Sequence, residues 1–367
     1  MAGMEAGKGG DLMRVLAVNT VLPEHRYDQR QITERVAATV KADQRLVERF
    51  HAATRVSGRN LALAIEDYDR LTGFTAANDA YITTALDLAE RAVGKVLDAA
   101  GLDPRQVDHL VFCSSTGVAT PSLDAALAQR TGLREDVKRL PVFGLGCAAG
   151  AAGLSRLHDY LRAWPEQVAV LVCVELCSLT VQRDDASVAN LVGSGLFGDG
   201  AAAVVAAGDE RDTGGPPPDG PGWGPRVVAT RSRLYPDTAR LMGWNVGEHG
   251  FRIVLAADLV DHVEASLAGD VAAFLRDHGL SPGEIASWVC HPGGPKVIET
   301  IAAAFGLDDG ELDLTWDSLR KAGNLSSVSV LNVLEETIAR RPRPPDAPGL
   351  LMALGPGFSA EMVLLRW

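Results

Sequence analysis

Apolar and polar positions alternate between two periods along this chain. Leu12 to Val18 is an apolar run of strand length, and Glu34 to Ala53 has helical spacing with charged residues interspersed. Ala80 to Ala100 is the clearest amphipathic helix, with Leu86, Leu88, Ala89, Ala92, Val93, Val96 and Leu97 recurring near the 3.6-residue period. Gly101 follows as a helix stop. The cycle then repeats: His109 to Cys113 strand, Arg139 to Phe143 strand, Gly150 to Ala163 helix, Val168 to Val174 strand, Gly200 to Ala206 strand. Gly208 to Pro225, centred on Gly214-Gly215-Pro216-Pro217-Pro218, suits neither helix nor sheet interior and reads as a connection. Beyond it the pattern predicts strands over 226–230, 251–256, 287–290, 350–354 and 361–365, and helices over 260–277, 296–305 and 327–340. The prediction is an α/β protein of two layered halves, 1–207 and 226–367, joined by 208–225.

Composition narrows the function classes. Lys+Arg number 35 against 47 Asp+Glu in 367 residues, a formal charge of −12. A net acidic chain with no basic block repels phosphate backbones, which argues against a nucleic-acid binder. The longest apolar stretch, Val168 to Leu179, is interrupted by Glu175 and is too short to cross a bilayer. Met1 to Gly10 is small, polar and mixed in charge, unlike an export signal. Five cysteines (113, 147, 173, 177 and 290) are odd in number, lack metal-ligand spacing and suit a reducing compartment, so the reading is cytoplasmic with no metal.

Four segments carry candidate signals. In Gly144-Leu145-Gly146-Cys147-Ala148-Ala149-Gly150, a predicted strand ends, the chain turns, and Cys147 opens a helix of very small residues. A thiol at a helix start is either a nucleophile with a pKa lowered from about 8.5 or an inert buried side chain. His291-Pro292-Gly293-Gly294-Pro295 places a histidine at a strand end before a loop, where α/β folds put functional groups. It is equally a histidine bonded to a loop carbonyl. Gly323-Asn324-Leu325-Ser326-Ser327 reads as a turn with helix-capping serines, and Gly355-Pro356-Gly357 as a turn between strands.

Together and in this order, these segments resemble the type III polyketide synthases, chalcone-synthase-like ketosynthases of the thiolase fold with its αβαβα layering. The matching text is Gly146-Cys147 with its small-residue helix, the run Leu196-Phe197-Gly198-Asp199-Gly200, the His291 loop, the Asn324 segment and Gly355-Pro356-Gly357. With Ser114-Ser115-Thr116-Gly117 the resemblance covers most of the chain, and Leu234 to Trp244 looks most like bacterial members.

The resemblance implies that Cys147 takes the starter acyl group from coenzyme A, that His291 is its base, and that His291 and Asn324 bind the malonyl thioester carbonyl. Phe197 matches a gating phenylalanine, and Thr116, Thr180, Ile253, Ser326 and Gly355 match positions of the substrate cavity. Thr120, before Pro121, matches a loop residue that enters the partner's cavity, so a homodimer is implied. Arg49, Arg55 and Arg59 resemble a basic coenzyme-binding stretch, and Lys296 lies beside the His291 loop; each is otherwise a solvated charge. No cofactor is implied beyond the acyl-CoA and malonyl-CoA substrates. Ile253, an aliphatic residue at a gating position, points to a bulky starter and an alkylpyrone or alkylresorcinol-type product. The alternatives are a tetrahydroxynaphthalene or other phenolic synthase, a β-ketoacyl-acyl-carrier-protein synthase III-type enzyme, or a non-catalytic scaffold.

Overall fold

The computed structural model describes residues 13–213, 224–308, 310–340 and 344–367. Its strands are β1 (Met13–Val21), β2 (His25–Asp28), β3 (Gly58–Leu61), β4 (His109–Cys113), β5 (Lys138–Val142), β6 (Val168–Leu176) and β7 (Asp199–Gly208). After the connection come β8 (Arg226–Leu234), β9 (Met242–Gly247), β10 (Gly250–Leu255), β11 (Ser287–Cys290), β12 (Pro348–Gly355) and β13 (Ser359–Arg366). The helices of the first half are α1 (Gln29–Thr39), α2 (Gln44–Ala53), α3 (Phe74–Ala100), α4 (Leu123–Arg130), α5 (Ala149–Ala163) and α6 (Val188–Leu196). Those of the second are α7 (Leu259–Asp277), α8 (Pro295–Phe305), α9 (Asp313–Ala322) and α10 (Ser327–Arg340).

Among the described residues nine strands run in the order β11-β12-β13-β8-β1-β7-β6-β4-β5. Within this sheet the two halves join where β1 meets β8, through Met13↔Val227 and Arg14↔Arg226. Strand side chains alternate faces, and the alternation sorts them into layers. In β6, Ala169, Leu171 and Cys173 enter one core, while Val168, Val170, Val172 and Val174 enter another with α3. In β12, Leu351 and Ala353 enter the first core, and Leu350, Met352 and Leu354 face α7 and α8. The shared core is filled by α5 and α10, sandwiched between the two halves of the sheet. Strands buried on both faces read as unbroken apolar runs, as β6 and β7 do.

Helices so enclosed must approach closely. A Cβ on Gly150 would lie 2.3 Å from the Ser327 carbonyl oxygen, and one on Gly153 2.4 Å from Leu171. That is the physical reason for the small-residue start of α5.

Several expectations shift. The helix over 34–53 is two helices, because the chain turns at Val40 and Asp43 caps α2 by accepting from Arg45 N at 2.8 Å. β2, β3, β9, α4, α6 and α9 were not predicted. The first strand is described from Met13 to Val21, and Leu12 lies outside the described residues. Gly208 belongs to β7, whereas the Gly214 to Pro218 centre of the connection, the Met1 to Gly10 segment and Arg341 lie outside the described residues.

Candidate active site

Cys147 sits in a single turn of 3₁₀-helix, Gly146–Ala148, between β5 and α5. Gly146 has φ +47°, and a Cβ there would meet Pro356 at 2.9 Å. Gly355 gives room on the same side: a Cβ would lie 2.6 Å from both the nitrogen and the Cβ of Ala148. Ser115 Oγ receives the Gly146 N–H at 3.1 Å. The Cys147 turn therefore seats directly on the Gly355-Pro356 turn that follows β12.

His291 continues from β11, which pairs with β12 in parallel, and its N–H donates to Met352 O at 2.9 Å. Asn324 lies before α10 and is fixed on every side. Its N–H donates to Leu196 O at 2.9 Å, and its carbonyl accepts from Gly198 N at 3.0 Å. Its Oδ1 accepts from Ser326 N at 2.8 Å, and Nδ2 donates to Gly293 O at 3.2 Å. Its backbone is bridged to Phe197. The amide is thus oriented, with Nδ2 as the donating end, beside the loop that carries His291.

Cys147, His291, Asn324, Phe197, Ile253 and Ser326 line one cavity of about 80 Å³. Burial pushes the Cys147 thiol up to about 12, while hydrogen bonds with Ser326 and Asn324 pull it back in part. Burial pushes His291 down to about 3. The sequence left open a lowered thiol at a helix start or a buried one. The sulfur is enclosed by apolar walls, and desolvation outweighs the helix start. Both groups rest neutral, and passing the Cys147 proton to His291 creates two opposite charges whose attraction offsets much of that desolvation.

Behind Cys147 stands Glu175, fully buried in β6. Its Oε1 accepts from Ser327 Oγ at 2.7 Å and Ser326 Oγ at 3.3 Å, and Oε2 from Ser115 N at 3.1 Å. Burial raises its carboxyl to about 7 against these hydrogen bonds. The charge that interrupts the longest apolar run is therefore a knot tying β6, the turn after β4 and α10 around Cys147.

A second chamber of about 480 Å³ adjoins the first. Cys177, Phe197, Trp244 and Ile253 line both and stand between them. Thr180 lines the second and donates to Cys177 O at 2.7 Å. Thr116 does not line either chamber: its Oγ1 is occupied by Leu176 N at 2.9 Å. Thr120 is exposed on the surface of the subunit, away from both.

The basic residues separate. Arg49, Arg55 and Lys296 are exposed, and Arg55 pairs with Glu299 of α8 at 2.7 Å and stacks over Trp316. Arg59 is only 2% exposed and faces inward, so it is no part of an exposed coenzyme-binding surface. Sequence reading missed Trp244, Cys177 and Glu175 as site residues. Of these, Trp244 had a signal, since Met242, Trp244 and Val246 alternate with smaller or polar residues as a strand does.

Family models for the N-terminal and C-terminal domains of chalcone and stilbene synthases match residues 4–210 and 226–367. The chain is 55% identical to a 1,3,6,8-tetrahydroxynaphthalene synthase of Streptomyces peucetius subsp. caesius, over 96% of this chain and 93% of that protein. It is 33% identical to an alpha-pyrone synthesis polyketide synthase-like protein of Mycobacterium tuberculosis, over 77% of this chain and 70% of that one. The crystal structure of 1,3,6,8-tetrahydroxynaphthalene synthase from Streptomyces coelicolor A3(2) superimposes with a TM-score of 0.89 at 29% identity, covering 96% of this chain and 99% of that chain.

Proposed function

The chain belongs to the chalcone and stilbene synthase family of type III polyketide synthases, and from that membership we propose that it builds a hydroxylated naphthalene from malonyl-CoA alone. The fold is thiolase-like, the activity is that of a ketosynthase-type acyltransferase, and no cofactor is needed beyond coenzyme A thioester substrates. The division into halves 1–207 and 226–367 is part of the same reading.

Cys147 gives its proton to His291, and its sulfur displaces coenzyme A from the starter to form a thioester. The next malonyl thioester places its carbonyl oxygen between His291 and Asn324 Nδ2. Its carboxylate leaves as CO2, and the electron pair becomes an enolate that these donors stabilise. The enolate carbon attacks the Cys147 thioester, forming the new carbon–carbon bond and expelling the thiolate.

The starter is argued from one observation. Ile253 leaves room that an aromatic side chain would fill, but Trp244 stands directly opposite it in the β9–β10 ribbon. The two side chains line the same passage, so the indole takes back the space that Ile253 alone would leave for a starter's tail. The sequence-based preference for an alkylpyrone or alkylresorcinol thus gives way to its phenolic alternative, and the 55% identity to a naphthalene-forming relative supports that choice. Product masses from malonyl-CoA alone and from malonyl-CoA with a ladder of acyl-CoAs test it: a phenol without any acyl-CoA supports the reading, and dependence on a fatty acyl-CoA removes it.

We assign the coenzyme A phosphates to Arg49, Arg55 and Lys296. Val297 and Ile301 of α8 line the Cys147 cavity while Lys296 is exposed beside them. A homodimer across β5 is the matching assembly. β5 is an edge strand with an exposed face, Val118 and Phe143 beside it are 42% and 55% exposed, and Thr120 lies on that same loop. We place the enzyme in the cytoplasm, whose reducing conditions suit five unbonded cysteines. Among the described residues no helix is long and apolar enough to cross a membrane.

A further inference from the structure

The space beside Cys147 is about 80 Å³, and the chamber beyond the Phe197–Trp244–Ile253 partition is about 480 Å³. A chain of several ketide units outgrows the first, so its oxygen-rich body has to lie in the second.

The wall of the second chamber carries a buried polar string that the condensation steps do not use. Tyr68 Oη and Ser178 Oγ are 2.5 Å apart, and Ser178 Oγ donates to Asp199 Oδ2. Asp199 also accepts from Ser178 N at 2.8 Å and Ala62 N at 2.6 Å. Since the carboxylate only accepts, the Ser178 proton points to Asp199 and the Tyr68 proton to Ser178. The phenol oxygen is also held by backbone hydrogen bonds from Leu63 and Ala62, so the string is closed on itself.

Arg59 lies against the same string. Its Nη1 donates to Phe197 O at 2.5 Å, but Nε and Nη2 have no hydrogen-bond partner although the side chain is 2% exposed. Gly323 makes space for its stem: a Cβ there would lie 2.9 Å from Arg59 Cδ. Asp199 is close enough to balance the charge electrostatically, yet its oxygens are taken by other donors. A buried guanidinium with two unpaired nitrogens is costly to maintain. Arg59, Tyr68 and Ser178 all line the chamber.

We propose that Arg59 forms a binding subsite for the growing poly-β-keto chain, Nε and Nη2 of the guanidinium donating to its carbonyl or enolate oxygens. A 1,3-diketone or its enolate presents two oxygens side by side, and the two nitrogens offer a matching pair of donors in a fixed fork. Held there, the chain grows to full length before its rings close; released early, it closes on itself as a short lactone. This inference rests on the polyketide reading above and deepens it.

The test measures, in one reaction with radiolabelled malonyl-CoA, the ratio of full-length cyclised product to short lactones, normalised to CO2 released. Arg59→Lys keeps a charge but loses the fork of donors, and Arg59→Gln loses the charge but keeps a donor. The ratio is expected to fall about tenfold in both, the scale of one or two lost polar contacts. If Arg59 acts only by holding the Phe197 carbonyl, CO2 release and every product fall together and the ratio stays at the wild-type value, which overturns the subsite. Should Arg59→Lys fail to fold, Arg59→Gln decides by the same ratio. A wild type that needs an acyl-CoA starter contradicts the malonyl-only reading, and the ratio is then read with that starter, so the two failures are distinct.

Discussion

Trp244 lies directly across the β9–β10 ribbon from Ile253, and both side chains stand between the Cys147 cavity and the larger chamber. Directly opposed residues on one face of a ribbon share their space, so neither side chain can be read without the other. Trp244→Gly is expected to open the passage. The kcat/KM for a medium-chain acyl-CoA starter should rise at least about tenfold, since each apolar methylene accommodated is worth about 1–3 kcal/mol. An unchanged preference in the variant would show that the indole does not restrict the starter.

Asn324 is oriented by four hydrogen bonds, two through its backbone and two through its side chain. Asn324→Asp keeps an acceptor for Ser326 N but replaces the donor with a negative oxygen where the enolate forms. Decarboxylation of malonyl-CoA should fall about a hundredfold or more, with the KM changed little. Retained decarboxylation would take Asn324 out of the carbonyl-binding role.

Much of this was legible beforehand, and the limits have physical causes. The strands over 109–113 and 287–290 and the helix over 327–340 coincide with the predicted bounds, because long buried apolar runs between clear stops have one solution. Cys147, His291 and Asn324 were singled out as candidates through their turn-forming neighbours, the Gly, Pro and Ser residues that shape the loops carrying them, and the fold brings the three to one cavity. β9 escaped because Gly243 and Gly247 dilute its alternation, and α6 because Gly193 and Gly195 mimic a loop. Gly195 is there for contact instead, as a Cβ would lie 2.5 Å from the His51 ring. Arg59 reads as one more surface charge beside Arg55, and only the fold turns it inward. No local pattern tells that the two have opposite fates.

Gly355 is a packing requirement for the Cys147 turn. Gly355→Ala places a methyl group against Ala148 and the Leu145 carbonyl oxygen, 2.7 Å away. The expected destabilisation is about 1–3 kcal/mol. Displacement of the Cys147 turn should lower kcat more than it raises KM, read by steady-state kinetics beside a denaturant melt. Wild-type kinetics would mean that the two turns yield without moving the sulfur.

Glu175 should leave a signature in the pH dependence of stability. Its carboxyl titrates near 4.5 when solvated and near 7 in the fold. Between those values the unfolded chain has lost the proton that the fold still holds, so this group's contribution declines as pH rises from about 4.5 to 7. His291 and His51, pushed down to about 3 and 4, act in the opposite direction below 6.5. Comparison with Glu175→Gln isolates the first effect. Its amide oxygen can accept from Ser115 N while its NH2 meets the serine oxygens. The variant should gain on the wild type as pH rises through that window, and a constant difference across it would contradict a protonated Glu175.

The most direct test supplies uniformly ¹³C-labelled malonyl-CoA as the sole substrate and reads the product mass. The account predicts a ten-carbon hydroxylated naphthalene with every carbon labelled, lost when Cys147 is changed to Ala. A wild type that is silent until an unlabelled acyl-CoA is added, and then carries that acyl group into an alkylpyrone, would contradict it.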